Sequence, residues 1–188
     1  MTVFVLHTHD HVLDRTGKEV VTAVTTIDVH DIARTCKTYG VAGYYLLHPN
    51  PVMHDLVGQV VRHWDTGVGG VTNPYRKEAF SLLHLVYDME EALADMTEAA
   101  GARPFMLATT ARQTPGALSV EEVKKKVYKS MPLCIILGSG WGLTPRFLEE
   151  RCDAVLGAVR PQAPYNHLSV RAAAAIVLDR FFGDGEEA

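Results

Sequence analysis

The most informative stretch of the chain reads Leu133-Cys134-Ile135-Ile136-Leu137-Gly138-Ser139-Gly140-Trp141-Gly142-Leu143. Its first five residues are apolar without alternation, which is typical of a central strand covered on both faces. Three glycines at alternate positions follow directly. They leave backbone N–H and C=O groups open to a ligand at the carboxyl end of the strand, where α/β sheets bind their ligands. We therefore predict a buried strand followed at once by a ligand-binding loop.

Short apolar runs alternate with amphipathic segments on either side of this stretch, as in a parallel sheet with helices on both faces. The predicted strands span residues 3–6, 42–47, 82–86, 104–108, 133–137 and 154–156. The predicted helices span residues 29–38, 51–63, 89–100, 119–129, 144–151 and 169–182. Residues 65–76 and 157–167 show no period and are predicted to be long functional loops. We expect one α/β domain over residues 1–183 and a frayed polar tail over 184–188.

The composition describes a packed globular protein, with 188 residues, 47% hydrophobic and 21% charged. No apolar run approaches the roughly 20 residues of a membrane span, which excludes that class. The 18 basic and 22 acidic residues give a net charge of −4, which argues against a surface coated in positive charge but leaves room for a local basic site. The chain opens without a secretory signal pattern. The cysteines, Cys36, Cys134 and Cys152, form no Cys-x-x-Cys pair, so we expect a reduced, cytoplasmic protein.

The run His7-Thr8-His9-Asp10-His11 follows the first predicted strand. Strand alternation points His7 and His9 to the same side, and several metal hydrolases present two imidazoles to zinc in this way. No later ligands stand at a recognisable spacing, so a polar loop is the favoured interpretation. A metal-dependent hydrolase that uses these histidines remains the less favoured alternative. The run Lys124-Lys125-Lys126 is either a solvated helix face or a phosphate-binding patch.

The C-terminal third, from the glycine-rich loop to Tyr165-Asn166-His167-Leu168-Ser169-Val170-Arg171-Ala172-Ala173-Ala174-Ala175-Ile176, is similar to the last two motifs of the SPOUT (SpoU–TrmD) RNA methyltransferase superfamily. Residues 25–39 resemble its first motif, with Arg34 at the position of the motif's arginine. The segment Thr109-Thr110-Ala111-Arg112 after a strand also fits. The resemblance is to small single-domain bacterial S-adenosylmethionine-dependent RNA methyltransferases, and it extends over residues 6–182.

The resemblance implies a C-terminal trefoil knot, which counting strands would never suggest. It also implies that the knotted loops bind S-adenosylmethionine, and that a homodimer completes each active site. The small residues 172–175 suit close helix packing in such a dimer. One departure stands at Leu156-Gly157-Ala158-Val159, where relatives often have Leu-Glu-Pro-Ile, and it weakens the expectation for that cofactor contact.

Transferred residue by residue, the resemblance gives a set of expected site residues. Arg34 would hold a phosphate or activate the accepting group, and His30 and Asp31 would orient it or accept a proton. Leu143, Leu156 and Leu168 would form apolar walls around the adenine. The other expected cofactor residues are Thr109, Thr110, Gly138, Gly140, Trp141, Gly142, Asn166, His167 and Ser169, and the expected substrate residues are Arg76, Arg112 and Arg171. No metal is expected. The alternative to an RNA methyltransferase is a dimer that binds cofactor or RNA without turnover.

Overall fold

The computed structural model describes residues 1–127 and 131–183. The helices are α1 (Thr26–Thr38), α2 (Pro51–Asp65), α3 (Val68–Thr72), α4 (Pro74–Phe80), α5 (Met89–Ala100), α6 (Val120–Val127), α7 (Pro145–Arg151) and α8 (Val170–Phe182). The strands are β1 (Val3–Thr8), β2 (Val12–Leu13), β3 (Glu19–Val20), β4 (Gly43–Leu47), β5 (Leu83–Val86), β6 (Phe105–Thr109), β7 (Leu133–Gly138) and β8 (Ala154–Leu156).

Six strands form one parallel sheet in the order β5-β4-β1-β7-β6-β8, and β2 pairs with β3 in a separate antiparallel hairpin. The predicted central strand is confirmed, because β7 lies between β1 and β6. The loops that follow β6, β7 and β8 therefore leave the same edge of the sheet side by side.

Helices cover both faces of the sheet, as predicted. One core contains the buried sides of α1, α8 and parts of α2, α4 and α6, packed against one set of strand residues. The other core contains the buried sides of α5 and α7, packed against the alternate set. This arrangement explains the continuous apolar run of β7, since Ile135 belongs to the first core and Ile136 to the second.

Local sequence signals end or begin several helices as predicted. The Ser119 N–H donates to the Glu122 carboxylate (2.8 Å) and the Glu122 N–H to the Ser119 hydroxyl (3.2 Å), which is a capping box. Gly101 ends α5 in the left-handed region at φ 71°. Thr144 caps α7, which begins with Pro145. The predicted end of α6 at Lys129 and the tail 184–188 lie outside the described residues.

The prediction that residues 65–76 form a long loop is wrong, because α3 and the first turn of α4 occupy most of this region. The glycines there allow α3 to approach α2 closely: a Cβ at Gly67 would stand 2.6 Å from the His63 carbonyl oxygen. Asn73 and Pro74, which resemble a turn, are the N-cap and first residue of α4. The region from 157 to 167 does lack helix and strand, as predicted.

The hairpin of β2 and β3 was missed by the sequence analysis because each strand has two residues. The Asp14 carboxylate organises its turn by accepting from the N–H groups of Thr16 (2.7 Å) and Lys18 (3.0 Å). The trefoil knot stays a prediction, since strand order does not define how the chain threads. Among the described residues, no helix combines the length and the hydropathy that crossing a bilayer requires.

Candidate functional site

The glycine-rich loop after β7 packs against the hairpin. The Trp141 N–H donates to the Leu13 carbonyl (2.8 Å), and the Leu13 N–H donates to the Gly142 carbonyl (2.9 Å). Gly140 has φ 58°, and a Cβ there would lie 2.8 Å from the Leu13 carbonyl oxygen. The hairpin, which the sequence analysis missed, therefore takes up part of the loop's backbone hydrogen-bonding capacity, and the prediction that the glycines leave backbone groups open to a ligand stays a prediction.

Two of the predicted apolar walls lie in the cores. Leu143 is 7% exposed, and its side chain occupies the space that a Cβ at Gly138 would need (2.8 Å to Leu143 Cγ). Leu156 is buried in the core beneath α1 and α8. Both leucines support the loops from inside. Leu168, by contrast, is half-exposed, and its side chain is available to a ligand.

Three loops meet at the carboxyl edge beyond β7, as the sequence predicts. The Thr109 hydroxyl donates to the Ile136 carbonyl (2.9 Å), which ties the end of β6 to β7. The Arg112 guanidinium donates to the Trp141 carbonyl (3.0 Å). The Asn166 amide donates to the Ala111 carbonyl (2.6 Å). The segments 109–112, 138–142 and 165–168 are thus held together as one surface.

The outer side of this surface is open. Gly142 has φ 96°, and a Cβ there would meet no heavy atom within 4 Å. Trp141 lies beside it with its ring edge-on to His167, at 5.8 Å between centroids. The Thr110 hydroxyl accepts from the Arg112 N–H (3.0 Å), and the Ser169 hydroxyl caps α8 by accepting from the Ala172 N–H (3.4 Å). Glycine backbone next to exposed apolar surface gives a cradle for a flat ligand.

A second cluster, which we call the histidine cluster (His7, His9, His48, with Thr22 and Ser139), fills the neighbouring end of β1 and β4. The rings of His7 and His9 lie on the same side, as predicted, at 4.4 Å between centroids. His9 Nδ1 is 3.0 Å from the Thr22 hydroxyl, and His48 Nε2 donates to the Thr22 carbonyl (3.0 Å). The Ser139 hydroxyl donates to the Thr8 carbonyl (3.1 Å). Sequence reasoning missed Thr22 and His48, because the hairpin and β4 bring them here from distant positions.

Burial makes these imidazoles weak bases. Burial, reinforced by the neighbouring His48, lowers the pKa of His9 to about 4. Burial, and then the neighbouring His9, holds the pKa of His7 well below its ordinary value. The Nε2 atoms of both rings are buried and have no hydrogen-bond partner. Both rings are therefore neutral near pH 7.

His11 does not join this cluster. It lies at φ 55°, its ring stacks on Phe147 with centroids 5.5 Å apart, and its Nδ1 is 2.8 Å from the Glu19 carboxylate. Among residues 1–127 and 131–183, no three His, Cys, Asp or Glu side chains come together as metal ligands.

The expected catalytic and substrate residues fall into two groups. Arg171 on α8 pairs with Asp28 (3.0 Å) and Asp31 (3.5 Å) on α1, so Asp31 and Arg171 hold these two helices together. Arg34 is exposed in the α1/α8 groove, a cleft of about 450 Å³ lined by Asp31, Arg34, Thr35, Thr38, Tyr39, Arg171, Ala172 and Ala175. Nothing in the described part of the chain joins Arg34 to the three loops by a hydrogen bond or ion pair.

His30 and Arg76 lie elsewhere. The His30 ring packs edge-on against Phe80 (4.9 Å) and Trp64 (5.6 Å), and the Arg76 guanidinium lies 4.4 Å above the Trp64 ring. Burial, and then the Arg76 cation, lowers the pKa of His30. These contacts are with α2 and α4, and the expected roles of His30 and Arg76 stay predictions.

Residues 2–183 match the sequence profile of a family described as SAM-dependent RNA methyltransferase. The chain is 39% identical over 176 residues to a tRNA (guanine-N(1)-)-methyltransferase from Oleidesulfovibrio alaskensis, which covers 94% of this chain and 41% of the relative. The chain spans about two fifths of the length of the two curated tRNA methyltransferases it matches. An uncharacterised protein from Aquifex aeolicus is 33% identical over 181 residues, covering 96% of this chain and 88% of that protein.

The fold is similar to that of a solved SpoU methyltransferase, AviRb from Streptomyces viridochromogenes, whose structure holds the cofactor AdoMet. The TM-score is 0.57 at 16% identity, with 97% of this chain and 57% of that chain covered. At this identity the likeness concerns the fold, and it confirms the α/β architecture that the sequence predicted.

Proposed function

Because the chain belongs to the family of S-adenosylmethionine-dependent RNA methyltransferases, we propose that it transfers a methyl group from S-adenosylmethionine to a nucleotide in RNA. The observation that carries the proposal is the surface where segments 109–112, 138–142 and 165–168 converge with an open outer side. tRNA is the first substrate class to test, because two of the longer relatives carry the name tRNA (guanine-N(1)-)-methyltransferase. The guanine-N1 specificity in their name belongs to proteins more than twice as long as the matched region.

The converged surface fits a flat, partly apolar cofactor. Gly142 presents bare backbone to open space beside the exposed Trp141, and Leu168, also exposed, follows His167, whose ring meets that of Trp141. We propose that these residues hold the adenosine part, with Thr109, Thr110, Gly138, Gly140, Asn166, His167 and Ser169 completing the surrounding loops and Leu143 and Leu156 supporting them from the cores. When bound, S-adenosylmethionine supplies an activated methyl group, so the chain's own task is to orient the accepting atom.

Arg34 is our proposed catalytic arginine. It carries a permanent positive charge in an open groove, which suits binding a phosphate or stabilising an accepting group that has lost its proton. Since Arg34 makes no described contact with the loops of its own chain, we propose that it acts in a neighbouring subunit's site. His30 and Asp31 then orient the helix that carries Arg34: His30 packs against α2 and α4, and Asp31 pairs with α8.

A homodimer follows from the same groove. The α1/α8 groove combines small residues, Ala172 and Ala175, with charged ones, Asp31 and Arg171, and so allows close approach of a second helix pair. We propose that a second copy docks there and that the folded unit extends over residues 1–183. Sedimentation velocity tests this, with a dimer expected for the wild type and dissociation for Ala175→Trp. A wild-type monomer at enzymatic concentrations contradicts it.

The proposed location is the reducing cytoplasm, because all three cysteines are free. Burial raises the pKa of the Cys152 thiol to about 12, which keeps this partly exposed cysteine unreactive.

The decisive experiment uses a labelled methyl donor and bulk tRNA. The wild type is expected to bind S-adenosylmethionine in calorimetry and to label RNA. Arg34→Ala is expected to bind the cofactor with unchanged affinity and to lose about 100-fold in transfer rate, which is the scale of a lost transition-state donor. Arg146→Ala, at another exposed arginine on α7, is the control and is expected to keep the wild-type rate. An Arg34→Ala protein that transfers methyl as fast as the wild type refutes the assignment.

A further inference from the structure

Three rings form what we call the aromatic ledge, made of Trp141, Tyr165 and His167. Their centroids are 5.8 Å apart for Trp141–His167 and 5.4 Å for Tyr165–His167, and both pairs are close to perpendicular. Tyr165 is 76% exposed and Trp141 is 48% exposed. Neither ring belongs to the two cores of the sheet. A large solvent-exposed aromatic surface at one edge of the sheet indicates a binding role.

The ledge is held in place from below. Arg112 donates to the Trp141 carbonyl (3.0 Å), and Gln113 donates to the Pro161 carbonyl (3.3 Å). The amide of Asn166, which stands between Tyr165 and His167, donates to the Ala111 carbonyl (2.6 Å). These bonds link segments about 30 to 55 residues apart in sequence. The rings therefore belong to a surface that is organised before any ligand arrives, which lowers the entropic cost of binding.

The chemistry of the ledge matches an unpaired nucleobase. Every base has a π-face that stacks on an aromatic ring, and proteins that bind single-stranded RNA combine such rings with nearby cations. Here the guanidinium of Arg112 is fixed against the loop that carries Trp141. A protein partner would favour a broader apolar surface with fewer ionic groups around it. The combination of exposed rings with a fixed cation therefore favours RNA over a protein as the ligand of the ledge.

We propose that the aromatic ledge, through its most exposed ring Tyr165, stacks an unpaired base of the substrate RNA next to the nucleotide that is methylated, while Trp141 and His167 stay with the proposed cofactor surface. The inference rests on the proposed function for the identity of the polymer, and it adds a recognition requirement: the target must lie in a loop, bulge or single-stranded end. Tyr165 is the outermost ring and takes no part in the proposed cofactor surface. It is therefore the residue whose loss affects RNA binding selectively.

Tyr165→Ala and Tyr165→Phe test the proposal, with Tyr75→Ala as the matched control. Tyr75 lies on α4, outside the ledge, and is 82% exposed. The control therefore removes a tyrosine ring of similar exposure. The probe is a short fluorescent single-stranded RNA of mixed sequence, followed by anisotropy, and S-adenosylmethionine affinity is measured by calorimetry. Tyr165→Ala is expected to weaken RNA binding about 5- to 100-fold, the range for loss of one stacked base. Tyr165→Phe and Tyr75→Ala are expected to bind like the wild type.

Three results of the binding measurements overturn the proposal. The first is wild-type RNA affinity in Tyr165→Ala. The second is an equal loss in Tyr75→Ala, which would indicate nonspecific adhesion. The third is a parallel loss of S-adenosylmethionine affinity, which would assign the ring to the cofactor. If Tyr165→Ala loses RNA binding selectively while no preparation methylates RNA, the proposed role of the ledge is supported and the proposed function is contradicted. If the wild type and Tyr165→Ala methylate RNA equally well, the function stands and the ledge fails.

Discussion

Lowering the pH from about 7 to about 5 is expected to destabilise this protein through the histidine cluster. His9 has a pKa of about 4 in the folded chain, against about 6.5 in an unfolded one. Between these values the unfolded state binds more protons, so the free energy of unfolding falls as the pH falls. The stabilisation is complete above about pH 6.5 and is lost progressively down to about pH 4.

The magnitude follows from the shift. A pKa difference of 6.5 minus about 4, at 1.36 kcal/mol per unit, gives about 3 kcal/mol for His9 at full protonation. About 2 kcal/mol of this is lost between about pH 7 and about pH 5. His7 is shifted in the same direction, so it adds to the loss. Both rings are almost completely buried, and solvent therefore screens neither contribution.

Urea unfolding at both pH values measures this loss. His9→Asn is expected to lose about 2 kcal/mol less than the wild type over the same pH interval, whatever its stability at neutral pH. The control is His167→Asn, which removes an exposed imidazole outside the histidine cluster and is compared over the same pH interval. If His9→Asn loses as much stability as the wild type, the buried neutral imidazole is not the cause.

Two further predictions concern the glycine loop and its arginine. Gly140→Ala and Gly116→Ala each lower the free energy of unfolding by about 1 kcal/mol, because both positions have a left-handed backbone (φ 58° and 75°). Only Gly140→Ala places its Cβ against the Leu13 carbonyl. Gly140→Ala is therefore expected to lose about 1–3 kcal/mol more in thermal or urea unfolding, and equal losses would show that the hairpin yields. Arg112→Ala is expected to weaken RNA binding and to reduce the slope of log affinity against log salt by about 1. If it weakens S-adenosylmethionine binding more than RNA binding, Arg112 belongs with the cofactor instead.

The sequence predicts best what is decided within a few residues. The strand and glycines of 133–143, the capping box at Ser119 and the left-handed Gly101 all depend on local chemistry, and each is confirmed. The wrong prediction of a loop over residues 65–76 also comes from local chemistry. Glycine disfavours helix by its propensity, but the same residue also lets two helices pack closely. Nothing within residues 65–76 distinguishes these two uses, since the neighbour at Gly67 is the carbonyl of His63 on the preceding helix.

Long-range pairings in the candidate site could not be predicted. Thr22 meets Ser139 across 117 residues, and Arg171 meets Asp28 across 143. Each pairing depends on how the hairpin or α8 packs onto the rest of the fold. A single sequence carries no signal for contacts between residues so far apart along the chain. The sequence therefore supplies the expected loops, whereas the structure shows which side chains support the fold and which face open space.

The hairpin also determines where on the sheet edge a ligand can bind. In an open α/β sheet the crevice lies where the strand order reverses, which here is between β1 and β7. That crevice is filled: Ser139 bonds to the Thr8 carbonyl, Trp141 to the Leu13 carbonyl, and the buried His9 lies beneath Thr22. The remaining open edge runs beyond β7 towards β6 and β8, where Trp141 and Leu168 are exposed. The proposed cofactor surface therefore lies about one strand away from the position that topology alone would give, because the hairpin fills that position. If the proposal is right, loosening the hairpin disturbs this surface without removing any residue assigned to the cofactor.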